Sequence, residues 1–271
     1  MSVSHSYTRC RSTDHTNMDY ECHCCTADYS KGQSNAILFN ILSRPEPADV
    51  EPNYGWVPQA CHCEKRRTVC LKTPDETCQV ASGVLVKTMH FMRSLPAFQQ
   101  LPPKDQLSLL QNCWAPLLIL GLAQDRVRFE VCDTPAPSML QQILLNRQDP
   151  DREQPTLAGV QKLKACLKKF RGLDLSPKEY AYLKGIIIFN PDVPGLKASL
   201  FVEGLQYEAQ QALKEVLVPL HPEDTGRFAR VLLAASTLKL IPPGLITELF
   251  FRPVIGQADL LDLLIDMLFT R

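Results

Sequence analysis

Two kinds of residue in this 271-residue chain are spaced so that they could do chemistry: thiols beside imidazoles, and triads of leucine and isoleucine. Cysteine occurs 11 times and histidine six times. Cys61-x-Cys63-x6-Cys70-x7-Cys78, with His62 inside the first pair, and Cys22-His23-x-Cys25 hold the sulfur and nitrogen donors that zinc accepts. Zinc modules use paired C-x2-C units at regular spacing, and Cys22–Cys25 is the only such unit in this sequence. Reduced, unligated thiols are therefore expected, with no metal and no cofactor, and oxidative modification of surface thiols stays open. Cys113, Cys132 and Cys166 lie in the apolar part of the chain and read as small buried hydrophobes. Of the histidines (His5, His15, His23, His62, His90 and His221) only His90 falls well inside a predicted helix. No nucleophile motif, phosphate-binding glycine loop or HExxH site accompanies it, so the chain does not read as an enzyme.

The apolar triads point to recognition instead. Leu38-Phe39-Asn40-Ile41-Leu42 and Leu140-Gln141-Gln142-Ile143-Leu144 follow the pattern L-x-x-L-L with isoleucine in the fourth place, which puts three apolar side chains on one helix face. Burying each in a groove is worth ~1.5–3 kcal/mol, against an ordering cost of ~2–5 kcal/mol. Micromolar affinity, about −8 kcal/mol, is within reach of such a segment. The relaxed pattern also begins at Leu183, Leu213, Leu260 and Leu261, so in a leucine-rich helical chain most matches are core. Leu38, Ile41 and Leu42 stand in a polar, proline-rich stretch with few local partners, which favours a binding helix. The Leu140 segment lies between Pro137 and the polar loop after Asn146, and its accessibility stays open.

The elements that must position these residues follow from composition and periodicity. A 45% hydrophobic chain supports a large core, and 29 basic against 29 acidic residues is not the excess of positive charge that nucleic-acid binders carry. The N-terminal MSVSHSYTRC lacks the apolar core of a signal peptide. The longest apolar run, 114–123, is about half of a membrane span. Residues 1–33 read as a flexible Cys/Ser-rich leader, 34–79 as a short apolar island followed by an irregular connector, and 80–271 as a helical core. Val127, Phe129 and Val131 alternate as a short strand. A brief helix is expected between Pro135 and Arg147, and another on the face Leu157, Val160, Leu163, Leu167 and Phe170. Ser176-Pro177-Lys178-Glu179 is a capping box with proline at the first helical position, so a helix starts there. Further helices are expected over 205–218, 227–240, 245–251 and 259–269. The class is all-α with one short β-hairpin.

The stretch 91–114 is more specific than amphipathicity requires. It reads F-x-R-x-x-P-x-F-x-x-L-P-x-x-D-Q-x-x-L-L-x-x-x-W: a helix end, a loop punctuated by Pro96, Pro102 and Pro103, and a new helix with Asp105 in its first turn. This order resembles the signature of nuclear receptor ligand-binding domains. IIIFNPDVPGL at 186–196, GRFARVLL at 226–233 and the terminal LLIDML at 263–268 extend the resemblance to the family's eighth, tenth and activation helices. It implies a three-layer helical sandwich. It also implies a groove for partner helices, lined by Val86, Met89 and Leu107, with Arg93 as the basic and Asp266 as the acidic end of a charge clamp. Gln111 stands where a second basic residue is common, and the terminal helix contributes Leu263, Leu264, Met267 and Leu268.

The paired Cys₄ modules of a receptor DNA reader are absent from this sequence. FNPDVPGL, SPKEYA and the island around Leu38 resemble the atypical orphan branch of the family that acts as a corepressor. The resemblance implies a chain that presents the Leu38 and Leu140 triads to the ligand-binding domains of other nuclear receptors. There it would exclude coactivators and recruit corepressor proteins, without direct DNA or membrane binding, in nucleus and cytoplasm. Homo- or heterodimers stay open. The alternative is a sensor of small lipophilic molecules with a receptor-type pocket. In retinoid-type receptors an arginine at the position aligned with Asp125 binds the ligand carboxylate, and an acid there would repel it. Replacing Leu38 and Leu42 together by alanine is expected to weaken receptor binding about tenfold or more, roughly 1.4 kcal/mol, with circular dichroism unchanged. Unchanged affinity would remove the first triad from the interface.

Overall fold

In a computed structural model, residues 67–134 and 154–270 are described. The triads Leu38, Ile41, Leu42 and Leu140, Ile143, Leu144 lie outside the described residues, as do the leader and the helix expected between Pro135 and Arg147.

Strand β1 (Val69–Leu71) leads at once into helix α1 (Pro74–Ser94). That start precedes the apolar periodicity because Pro74 at the first turn, with Asp75 and Glu76 behind it, suits a helix N-terminus without a core-facing side chain. Leu95 is extended before Pro96, which ends α1 and opens the short α2 (Pro96–Gln99). Helix α3 (Pro103–Gln124) runs unbroken through Pro116, and from Leu117 to Ala123 every residue is buried. Such a helix is long and apolar enough to cross a membrane, but 72% of its apolar 18-residue stretch is buried inside the protein. Strand β2 (Val131–Asp133) pairs antiparallel with β1 in the register Val69–Asp133, Cys70–Cys132, Leu71–Val131.

Two expectations need correction here. The alternation at Val127 and Phe129 marks two inward side chains, each 8% exposed, and the ladder forms only further on, at 131–133. The sheet is also no local hairpin, because its partner strand comes from the stretch read as irregular connector. At three residues β1 is too short to show a period of its own, so its pairing with a strand 62 residues away is not marked in the connector.

Helices α4 (Leu157–Gly172) and α5 (Pro177–Ile188) follow, the first capped by Thr156 and the second by a complete Ser176–Glu179 capping box. Then come α6 (Ser199–Leu220) and α7 (Arg227–Leu238). Helix α6 starts six residues before the expected 205 because Leu200 and Phe201, in its first turn, are 82% and 44% exposed and show no core-facing pattern. After Pro242 comes α8 (Pro243–Ile246), a π turn (Thr247–Phe251), α9 (Arg252–Ile255) and the terminal α10 (Leu260–Phe269). The wider π turn lets the consecutive Leu249, Phe250 and Phe251 all be buried. Phe250 meets Phe129 edge to face at 5.1 Å.

Packing runs from α1 to α3, from α3 to α5, and from α5 to α6, with α4 also against α3. The α1–α3 crossing is close at Gly121, where a Cβ would stand 2.6 Å from Val84 Cγ1. Gly121→Ala is expected to destabilise by about 1–3 kcal/mol, part of it recovered by Val84→Ala in urea unfolding.

Among the described residues one ion pair is buried: Arg227 donates through Nε and Nη2 to Glu179 Oε1 at 3.1 and 3.0 Å, with the Glu179 side chain 1% exposed. Burial acts to raise the Glu179 carboxyl, but hydrogen bonds from Ser176 and Arg227 and the guanidinium charge outweigh it and hold the group below its ordinary range. With the folded value depressed, the unfolded chain binds more protons in acid. The stability from this pair is therefore full above the unfolded carboxyl's pKa of about 4.3 and is lost as pH falls through the folded value. Arg227→Met leaves the carboxylate unpaired and is expected to cost about 3–5 kcal/mol at pH 7. Adding Glu179→Gln should recover much of that loss and flatten the acid limb of the stability profile.

Candidate functional site

The groove residues expected from sequence sit on three elements: Val86, Met89 and Arg93 on α1, Leu107 and Gln111 on α3, and the terminal set on α10. Their environments differ. Met89 is 2% exposed and belongs to the core, whereas Val86 is 55% exposed and Leu107 half-buried. Gln111, Arg93 and Asp266 are exposed.

The backbone under Arg93 is fixed by neighbours that carry no periodic signal. Ser94 Oγ donates to the Phe91 carbonyl at 2.7 Å, and Gln99 Nε2 donates to the Arg93 carbonyl at 2.6 Å. Gln106 Nε2 donates to the Leu101 carbonyl at 2.9 Å, tying the loop after α2 to the start of α3. From this support Arg93 Nη1 donates to the Met267 carbonyl at 3.1 Å, in the last turn of α10. The last carbonyls of a helix have no partner within it and carry partial negative charge, so a guanidinium there both satisfies and neutralises them.

The other end of α10 is capped by its own Asp259, whose Oδ1 accepts from the Leu261 N–H at 2.8 Å. Between the two caps, Leu260, Leu264 and Leu268 recur every four residues and are buried at 4%, 0% and 7%. Ile265 and Met267 pack partly against the core, and Leu263 is 38% exposed. Helix α10 packs on α1. Arg93 and Met267 are thus brought together, while the Asp266 carboxylate makes no hydrogen bond among the described residues. The relaxed L-x-x-L-L matches at Leu183 and Leu213 are core, both 0% exposed.

The remaining expected chemistry sorts cleanly. His90 is exposed on α1. Cys78, in the zinc-spaced run, is 1% exposed inside α1, where burial pushes its thiol up and removes it from any surface site. No group of three or more metal-ligating side chains occurs among the described residues. Cys113 and Cys166 are buried as expected, but Cys132 is exposed on β2, so its reading as a buried hydrophobe is wrong. An edge position in a two-stranded ribbon buries little. Asp125 accepts from Lys87 Nζ at 2.9 Å and so is neutralised by a surface lysine. A surface cleft of about 550 Å³ lies between Lys72, Val127, Phe129 and α4, with Arg128, Lys164 and Arg171 facing a single acid, Glu130.

Comparison with known proteins identifies relatives of the chain. Residues 69–253 match the family model described as the ligand-binding domain of nuclear hormone receptor. The human protein "Nuclear receptor subfamily 0 group B member 2" is 52% identical over 244 residues, covering 87% of this chain and 93% of that protein. Its rat counterpart is 54% identical over 243 residues with the same coverage. The pig protein "Nuclear receptor subfamily 0 group B member 1" is 38% identical over 280 residues, covering 94% of this chain and 58% of its own length. The chain belongs to the nuclear receptor family, carrying its ligand-binding domain and grouping with subfamily 0 group B.

Proposed function

We propose that this protein is a transcriptional corepressor that binds the ligand-binding domains of other nuclear receptors, without contacting DNA itself, and whose own partner groove is filled by its terminal helix. The observation that carries the reading is the Arg93 contact. The basic residue that would hold the last turn of a partner's helix holds Met267 of the protein's own α10 instead. Leu264, Met267 and Leu268 then take the places of an incoming L-x-x-L-L triad. Val86, Met89, Leu107, Gln111 and Asp266 belong to the same groove in this reading.

A receptor domain occupied in this way does not recruit coactivators, which suits repression. Affinity for other receptors comes from the triads Leu38, Ile41, Leu42 and Leu140, Ile143, Leu144, offered to their grooves in competition with coactivators. Neutral net charge and a single C-x2-C unit accord with recruitment to genes through a partner rather than through DNA. Repressive partner proteins, dimerisation and a cytoplasmic pool alongside the nuclear one are parts of the same proposal. Three buried leucines are a small anchor for a ten-residue helix, so α10 should be displaceable.

Deleting 259–271 tests the self-occupied groove. The truncated protein is expected to bind a fluorescent L-x-x-L-L peptide about tenfold more tightly than the full chain, equivalent to roughly 1.4 kcal/mol. Adding Arg93→Glu to the truncation should abolish that gain. Equal peptide affinity in full-length and truncated protein, both folded by circular dichroism, would mean that α10 does not compete for the groove.

A further inference from the structure

Among the described cysteines, Cys78, Cys113 and Cys166 are buried, and burial pushes each thiol up and away from reactivity. Cys70 and Cys132 are different. They stand directly opposite each other in the β1–β2 ladder, with their Sγ atoms 3.7 Å apart. Cys70 is half-buried and Cys132 exposed, and both are free thiols. The Lys72 N–H bonds the Glu130 carbonyl and the Thr134 N–H bonds the Thr68 carbonyl, which puts the cysteines at a hydrogen-bonded position of the ribbon. Cα atoms at such a position lie about 5.5 Å apart, inside the ~4.4–6.8 Å that a disulfide spans. Ion pairs on either side, Arg67–Asp133 and Lys72–Glu130, hold the strands in this register.

We propose that Cys70 and Cys132 are a redox modification site: a dithiol that closes into a reversible intramolecular disulfide by exchange with a low-molecular-weight disulfide such as oxidised glutathione. Cys132, the exposed member, meets the reagent. Its thiolate attacks one sulfur of the external disulfide, forming a mixed disulfide and releasing the first thiolate. Cys70 then gives up its proton and attacks the Cys132 sulfur, expelling the second thiolate. The dithiol loses two electrons, the reagent gains them as two thiols, and the two protons of the protein thiols end on the leaving groups.

Burial, the hydrogen bond and charge of Cys132, and the charge of Asp133 all push the Cys70 thiol up, with Thr134 opposing. That suits Cys70 to the resolving role, where proximity rather than acidity drives the second step. The bond would staple the foot of α1, the helix that carries Arg93, to the strand that follows α3.

The test uses the full-length chain, reduced and then equilibrated in glutathione buffers of rising oxidised fraction, quenched in acid, alkylated and digested with trypsin. Cys70 falls in the peptide 68–72 and Cys132 in 129–147, each holding one cysteine, so the assignment is unambiguous. The expected product is the linked pair of peptides, lighter than their sum by two hydrogens, dominant over either mixed disulfide and erased by dithiothreitol. Cys70→Ser should instead trap glutathione on Cys132. Oxidation should also raise the melting temperature of the wild type and leave that of Cys132→Ser unchanged. Separate glutathione adducts on Cys70 and Cys132 in the wild type, or linkage of either mainly to another cysteine, would overturn the proposal.

Discussion

Helix α3 has almost no solvent-facing side beyond its first turns, and the rest of the domain is arranged around that constraint. From Cys113 to Ala123 its side chains are buried on every face, so it cannot be oriented by an amphipathic stripe. Its direction is set by its ends instead. At the N-terminus, Asp105 is 1% exposed and accepts the backbone N–H groups of Lys197 and Ala198, which ties the start of α3 to the entry of α6. At the C-terminus, Gln124 accepts from Lys184 at 2.7 Å and Asp125 from Lys87 at 2.9 Å, joining it to α5 and α1. A buried carboxylate taking several backbone donors is among the strongest uses of a single charge in a fold.

This scheme leaves the outer face of α1 free to work. Helix α1 is pinned to α3 at Gly121 and stopped at Pro96, and its last turn buries Met92 while leaving Arg93 exposed. In the proposed groove, partner-helix recognition is a matter of complementary ends. A helix lying on α1 presents unpaired carbonyls where Arg93 waits and apolar residues where α1 is bare. The terminal helix meets both conditions, with Asp259 completing its N-terminal cap. The nearby β1–β2 ribbon fixes the opposite end of α1, so both ends of this helix are under local control.

Much of this was legible in the chain. The signature at 91–114 marks the end of α1 and the start of α3 because proline geometry and a first-turn acid are local signals, whereas α2 lies in the stretch read as a loop. The Ser176 capping box marked the start of α5 to the residue. What could not be read was long-range. The β1–β2 pairing joins the stretch read as irregular connector to the end of the alternating stretch at Val131, and it reverses the reading of Cys132 from buried to exposed. Both α1 and α6 start earlier than apolar period predicts because Asp75, Glu76, Leu200 and Phe201, in their first turns, are exposed and give that period no inward face. The Arg93–Met267 contact joins residues 174 positions apart, so it is visible only in the folded chain.

The most direct measurement is binding of the full-length protein to purified nuclear receptor ligand-binding domains, with and without agonist, in competition with a coactivator L-x-x-L-L peptide. A corepressor that fills other receptors' grooves binds more tightly with agonist and is displaced by the peptide. Binding to none of them, or binding indifferent to peptide and agonist, would contradict it.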